Sequence, residues 1–208
     1  MENRRGECNL EKVTVVLDTK LPNLKKAVSV LKQGGIIIYP TESSYAIGCD
    51  YTKKNLVKKI FKIKKRPKTK HITTIVPNIK VAKQYTKLTK KEKHIVERFM
   101  PGPITLATKG KRGKEFNFRI SKHPVALKLA KEFGKPIVAT SANTSGEPPI
   151  YESEDLHKFF GKVDLILDHG NLTITYPSTV VKVSPRFRTI RKGPISVKDI
   201  KQSLKAIK

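Results

Sequence analysis

The chain has 208 residues, 38% hydrophobic and 29% charged, the balance of a folded domain rather than of a disordered or membrane-embedded segment. With 44 Lys and Arg against 17 Asp and Glu it carries a formal +27, which favours phosphate-bearing partners and equally fits a Lys-rich background composition without Trp. Its longest apolar run, Ile36-Ile37-Ile38-Tyr39, is far short of the roughly 20 residues of a membrane helix, and two cysteines without a CxxC argue against a disulfide scaffold or a zinc finger.

No charged-then-apolar leader opens the chain, so a cytoplasmic setting is expected. The five histidines show no HxH or HxxxH spacing, and no protein-held metal is expected. Residues 1–11 read as a loose polar lead-in, and 12–208 as one domain. Leu24, Ala27, Val28 and Leu31 follow the i, i+3, i+4, i+7 stripe of a helix that Gly34-Gly35 ends. Ile36 to Pro40 is then a buried strand. Leu56, Val57, Ile60 and Phe61 mark a second helix, stopped near Arg66-Pro67 because a residue before proline avoids helical angles.

Ile72 to Val76 is rich in β-branched residues and predicts a strand. Thr89 with Glu92 is a capping-box pattern for a helix bearing Ile95, Val96 and Phe99, which Pro101-Gly102-Pro103 terminates. Ile104–Thr108 and Phe116–Ile120 predict a hairpin, and Ala126, Leu129, Ala130 and Phe133 another helix. Strands are predicted at Pro136–Thr140, Val163–Leu167, Thr179–Val183 and Phe187–Arg191, the last two as a second hairpin. Ser196 caps a final helix with Val197, Ile200, Leu204 and Ile207 inward. Strands and helices interleave throughout. The expected fold class is α/β, a twisted, mixed parallel and antiparallel open sheet covered by helices.

Four segments could carry chemistry. Thr41, Ser43, Ser44 and Tyr45 crowd hydroxyls at the C-terminal end of a buried strand, where open sheets bind ligands; the plain alternative is a polar turn. Lys64, Lys65, Arg66, Lys68 and Lys70 form either a polyphosphate clamp or a solvated loop compensating a helix dipole. Ala139-Thr140-Ser141-Ala142-Asn143-Thr144-Ser145-Gly146 could bond a nucleotide at close range or be a Ser-rich turn. Arg119 is one charge in an apolar strand and needs a carboxylate, from an internal Asp or Glu or from a substrate. Phosphate-loop, GxGxxG and GxSxG patterns are absent, and Ser141 is a poor nucleophile candidate.

Taken in order, these segments resemble the YrdC-type threonylcarbamoyl-AMP synthases. The resemblance is carried by Gly34-Gly35 with Tyr39-Pro40-Thr41-Glu42 and Tyr45, by the KxR of Lys64 and Arg66, and by Phe99-Met100-Pro101-Gly102-Pro103-Ile104-Thr105-Leu106. Arg119 with His123-Pro124, the SxN of Ser141 and Asn143 with Ser145-Gly146, Ser178-Thr179-Val180-Val181, and Arg191-Lys192-Gly193 complete it. The chain departs from the family pattern at Ser43-Ser44, Ala46, His71, Met100 and Ser121. Tyr45-Ala46-Ile47-Gly48-Cys49 is similar to a paralogous group that lacks the KxR and SxN patterns, both intact here.

The resemblance implies a single-domain, YrdC-like synthase. Such enzymes convert L-threonine, bicarbonate or CO2, and ATP with Mg2+ into threonylcarbamoyl-AMP and pyrophosphate, which a downstream threonylcarbamoyl transferase complex uses for the t6A modification of tRNA. It implies ATP binding by Lys64, Arg66, Ser141, Asn143 and Arg191, with Lys64 and Arg66 catalytic, and threonine binding by Thr41, Arg119 and Ser178. A double-stranded RNA or tRNA-binding protein of the same fold, without synthase activity, is the alternative. A related domain occurs in hydrogenase-maturation proteins, whose zinc-finger and acylphosphatase parts have no counterpart here.

Overall fold

The apolar stripes become helices where their spacing predicts them. In the computed structural model, which describes residues 13–67, 71–111 and 113–207, helix α1 (Leu21–Gln33) buries Leu24, Ala27, Val28 and Leu31 and ends at Gly34 in the left-handed region. The lead-in over 1–11 and the cations Lys68 and Lys70 lie outside the described residues. Helix α2 (Lys54–Ile63) buries Ile60. A short α3 (Ile79–Tyr85) is capped by Asn78, whose side chain accepts from Val81 N. Both bonds of the Thr89–Glu92 capping box form at the start of α4 (Lys90–Phe99). Helix α5 (Pro124–Phe133) follows, and Ser196 caps α6 (Val197–Lys205) through Lys198 N and Asp199 N.

The strands are β1 (Val15–Asp18), β2 (Ile37–Pro40), β3 (Tyr45–Gly48), β4 (Thr73–Ile75), β5 (Ile104–Lys109), β6 (Glu115–Arg119), β7 (Ile137–Val138), β8 (Thr140–Ser141), β9 (Leu165–Asp168), β10 (Thr179–Lys182) and β11 (Arg188–Arg191). They pair in mixed fashion as expected, but in two sheets, ordered β1-β9-β2-β3-β8 and β11-β10-β5-β6-β4-β7. Both expected hairpins, β5–β6 and β10–β11, are antiparallel. The parallel pairs β1–β9, β2–β9, β4–β6 and β5–β10 need crossovers, which the helices supply.

The strand expected over 136–140 is where the two sheets meet. Its first part, β7, pairs with β4 of one sheet and its second part, β8, with β3 of the other. Val138 N bonds Cys49 O (2.9 Å), and Ala139 N bonds Thr73 O (2.8 Å), so consecutive residues serve different sheets. This double duty breaks the strand at Ala139 and brings the ends of both sheets to one place.

Burial on both faces explains why Ile36 to Tyr39 is a continuous apolar run rather than an alternating one. Ile37 and Tyr39 pack with α1 and α5, whereas Ile36 and Ile38 pack with Ile60 of α2 and with Leu156 and Phe159 of a 3-10 turn (Glu154–Phe159). The second sheet buries Leu106, Phe118 and Val181 against Ile95 and Val96 of α4 and Ile200 of α6.

Gly48 sits at the meeting of the sheets. A Cβ there would lie 2.2 Å from Val138 O and 2.8 Å from Tyr39 Cε1, and neither can retreat without breaking pairing or core. Gly48→Ala is expected to lose about 2–4 kcal/mol, a fall in melting temperature of roughly 4–16 °C for a chain of this size. Thermal unfolding followed by circular dichroism measures it, and an unchanged midpoint contradicts this account of the seam.

Candidate active site

One cavity collects side chains from both sheets. Its lining includes Thr41, Ser43 and Ser44 from the β2–β3 turn, Arg66 from the α2–β4 connection and Arg119 from the end of β6. Ser141 of β8 and Arg191 of β11 also line it; six of these seven residues lie in the four segments weighed for chemistry, and Arg191 is one that the resemblance implies.

The β2–β3 turn is built by Thr41. Its hydroxyl donates to Ser44 O (2.7 Å) and accepts from Ser43 N (3.3 Å), which closes the turn with the hydroxyl oxygen at the cavity wall. The next residue, Glu42, supplies the carboxylate that Arg119 requires. Arg119 Nη1 lies 3.0 Å from Glu42 Oε1, with both side chains about 95% buried. Ser121 Oγ donates to the other carboxylate oxygen and accepts from His123 N. The departure from the family at position 121 therefore has a local role, since a proline there could not hold Glu42. Arg119 Nε is buried and has no acceptor among the described residues.

Arg66 reaches the cavity through an unusual helix end. After α2, Lys65 takes a left-handed conformation (φ 48°), the place glycine usually fills. Lys65 N bonds Lys62 O (3.0 Å) and Arg66 N bonds Phe61 O (2.9 Å), the paired bonds of a Schellman end. The reversal sends Lys64 inward, Lys65 to solvent and Arg66 to the cavity. Arg66 Nη2 donates to His71 O (2.9 Å), while its Nε is buried with no described acceptor.

Lys64 is 1% exposed, and its ammonium pairs with no carboxylate among the described residues. Its three N–H groups serve Ser141 O, Asn143 O (2.7 Å) and Asn143 Oδ1 (2.7 Å). Ser141 Oγ also donates to Asn143 Oδ1 (2.7 Å), and Asn143 Nδ2 donates to Glu147 O (2.5 Å). Lys64 and the SxN residues are thus one hydrogen-bonded unit, with Arg66 beside it, although only Arg66 and Ser141 of the four line the cavity. Burial, with the nearby Arg66 charge, pulls the Lys64 amine down to about 8.

Ser178 lies behind Arg191 rather than on the cavity wall. Arg191 Nε donates to Ser178 O (3.0 Å) and its Nη2 to Ser178 Oγ (3.1 Å), while Ser178 Oγ also meets Thr105 Oγ1 (2.9 Å). Gly193 permits this approach, because a Cβ there would lie 2.3 Å from Pro177 O and 2.5 Å from Thr179 N. Three guanidiniums consequently share one cavity, and burial together with their mutual repulsion lowers the pKa of Arg191. Such a site suits a ligand with more than one anionic group.

Sequence reasoning gave no role to Glu42 or Ser121. The available sign was the unpaired Arg119 itself, which called for an acidic neighbour without saying which. Among the described residues no group of three or more His, Cys, Asp or Glu side chains comes together to hold a metal ion, and no helix is long and apolar enough to cross a membrane.

The family model Sua5_yciO_yrdC, whose description is telomere recombination, matches residues 29–193. The chain belongs to this family. A relative from Aliivibrio fischeri named threonylcarbamoyl-AMP synthase is 29% identical over 185 residues, covering 83% of this chain and 100% of its own. The structure of P. abyssi Sua5 complexed with L-threonine superimposes with a TM-score of 0.83 at 26% identity, over 92% of this chain and 60% of that longer one. E. coli YciO superimposes with a TM-score of 0.78 at 25% identity, over 90% of this chain and 98% of its own.

Two expectations follow from the local geometry. Lys65→Gly should stay within about 1 kcal/mol of the parent, whereas Lys65→Val should lose about 1–2 kcal/mol, because a β-branched side chain is strained at this φ. Equal stabilities in urea unfolding would contradict a left-handed Lys65. For Lys64, the unfolded chain keeps its proton up to the ordinary value of 10.5, while the folded chain sheds it near 8. Between those values the unfolded state binds more protons, so folding gains stability as pH rises. Lys64→Met should flatten that rise in a melting-temperature series, and parallel pH profiles would contradict it.

Proposed function

We propose that this chain is a threonylcarbamoyl-AMP synthase, an ATP-dependent nucleotidyltransferase acting in the cytoplasm on L-threonine, bicarbonate or CO2, and ATP. The observation that carries the reading is the convergence of Arg66, Arg119 and Arg191 with the Thr41 and Ser141 hydroxyls on one cavity. The reaction needs such a place. The threonine amine loses a proton and forms an N–C bond to CO2. A carbamate oxygen then attacks the α-phosphate of ATP, and the bond to pyrophosphate breaks. Anionic carbamate, carboxylate and triphosphate must be held together, and fixed cations oppose their repulsion without having to reorganise.

In this reading Arg119, kept in place by Glu42, takes the threonine carboxylate, and Thr41 bonds the amino acid. Arg66 and Arg191 take phosphate oxygens, Arg191 held at its angle by Ser178. Ser141 meets the nucleotide. Lys64 serves by fixing the Ser141–Asn143 turn that its three N–H groups hold. Among the described residues no Asp or Glu lines the cavity, and Glu42 behind it is engaged by Arg119 and Ser121; Mg2+ would enter chelated by the triphosphate, as part of the substrate. The product would pass to a threonylcarbamoyl transferase complex acting on tRNA, since a carbamoyl adenylate is an activated donor that must be consumed by acyl transfer.

Pyrophosphate release with Mg2+ and ATP should require both threonine and bicarbonate; turnover indifferent to threonine would overturn the reading. Arg66→Ala and Lys64→Ala should each lower kcat/KM by about 30- to 1000-fold, the equivalent of about 2–4 kcal/mol in a desolvated site. Lys65→Ala should change it less than about 5-fold, as expected of an exposed, screened charge. Equal, mild losses at all three positions would move the site elsewhere.

A further inference from the structure

Across β4 from the cavity lies a second, larger concavity of about 660 Å³. His71 and Thr73 line the first and Ile72, between them, lines the second, so successive residues at the entry to β4 face the two concavities in turn. They share no lining residue. The floor of the second is aromatic. Tyr85 stacks on Phe116 at 5.5 Å and 20°, Phe116 stacks on Phe118 at 5.5 Å and 23°, and Tyr51 leans against Phe116 at 5.5 Å and 57°. Tyr51 and Tyr85 remain half-buried, with ring surface facing the groove.

Its two rims are cationic. Lys54 and Lys58, one turn apart on α2, stand on one side, and Lys111 and Lys114 of the β5–β6 turn on the other. All four are exposed, and none pairs with a described carboxylate. We infer that this groove binds single-stranded RNA, with bases on the half-buried Tyr51 and Tyr85 rings, which the buried Phe116 supports from beneath, and the backbone between the lysine rims. Stacking on flat rings combined with a charged track is the physical basis of sequence-tolerant single-strand recognition. An acidic peptide could answer the lysines but meets the rings only where it carries an aromatic side chain, whereas every base of a strand presents a π-face. A free nucleotide carries its phosphates at one end, whereas a strand carries them on both sides of each base and so reaches both rims. The inference is independent of the reaction proposed above.

The test is fluorescence anisotropy of a labelled oligouridylate of about eight nucleotides, titrated with the full chain at about 0.15 M salt. Lys111→Glu/Lys114→Glu should weaken binding by roughly 10-fold or more. The equally charge-reversed Lys25→Glu/Lys26→Glu, on exposed positions of α1 beyond the opposite face of the first sheet, should weaken it by less than about 3-fold. The chain has no Trp, so its tyrosine emission is readable and should be quenched by unlabelled RNA, and less so in Tyr85→Leu. Equal losses in the two charge reversals would overturn the groove in favour of net charge alone. Tighter binding of a duplex of the same length, displacement by an acidic peptide at equal concentration, competition by AMP as effective as by the strand, or no binding at this salt would each overturn it as well.

Discussion

A single buried ammonium organises the site. Lys64 places a charge where it is almost wholly removed from water, and its three protons meet the three oxygens that the Ser141–Asn143 turn presents. A buried charge without partners is strongly unfavourable, so the turn and the end of α2 hold each other in place. The backbone repeats the tie in the other direction, with Ser145 N donating to Lys64 O (2.7 Å). The acceptors are dipoles rather than a carboxylate. That choice satisfies the ammonium without cancelling its charge, and the surrounding field stays positive.

The rest of the cavity follows the same logic of fixing cations before a ligand arrives. Each guanidinium has an anchor of its own: His71 O for Arg66, Glu42 for Arg119 and Ser178 for Arg191. The Arg119–Glu42 pair also links β6 of one sheet to the β2–β3 turn of the other, close to where β7 and β8 join the sheets through the backbone. Architecture and electrostatics meet at one point, because the segment that joins the sheets continues directly into the turn held by Lys64. A change in the packing of the sheets would therefore be felt as a change in the spacing of the charges.

Much of the fold was legible because amphipathic stripes and β-branched runs report burial directly. The helices at 21–33, 90–99 and 124–133 and both hairpins lie where their patterns put them. Other elements left no such imprint. Strand β3 is written in the polar-looking stretch around Tyr45-Ala46, β1 is an edge strand with exposed valines, and α3 buries only Ala82. The division of the sheet was hidden because it comes from hydrogen bonds made alternately in two directions at 138 and 139, not from a turn residue. At the site, residue identities announced anion chemistry, but the direction of Lys64 depends on Lys65 adopting positive φ, which a lysine does not advertise.

The crowding of three arginines has a consequence for how the protein persists in a cell. Their mutual repulsion opposes folding, and any polyanion that seats among them relieves it in the native state alone. Such a ligand shifts the folding equilibrium by mass action, by about 2.7 kcal/mol at a hundred times its dissociation constant. The lifetime of the chain against proteolysis would then rise with the concentration of any polyanion that seats there.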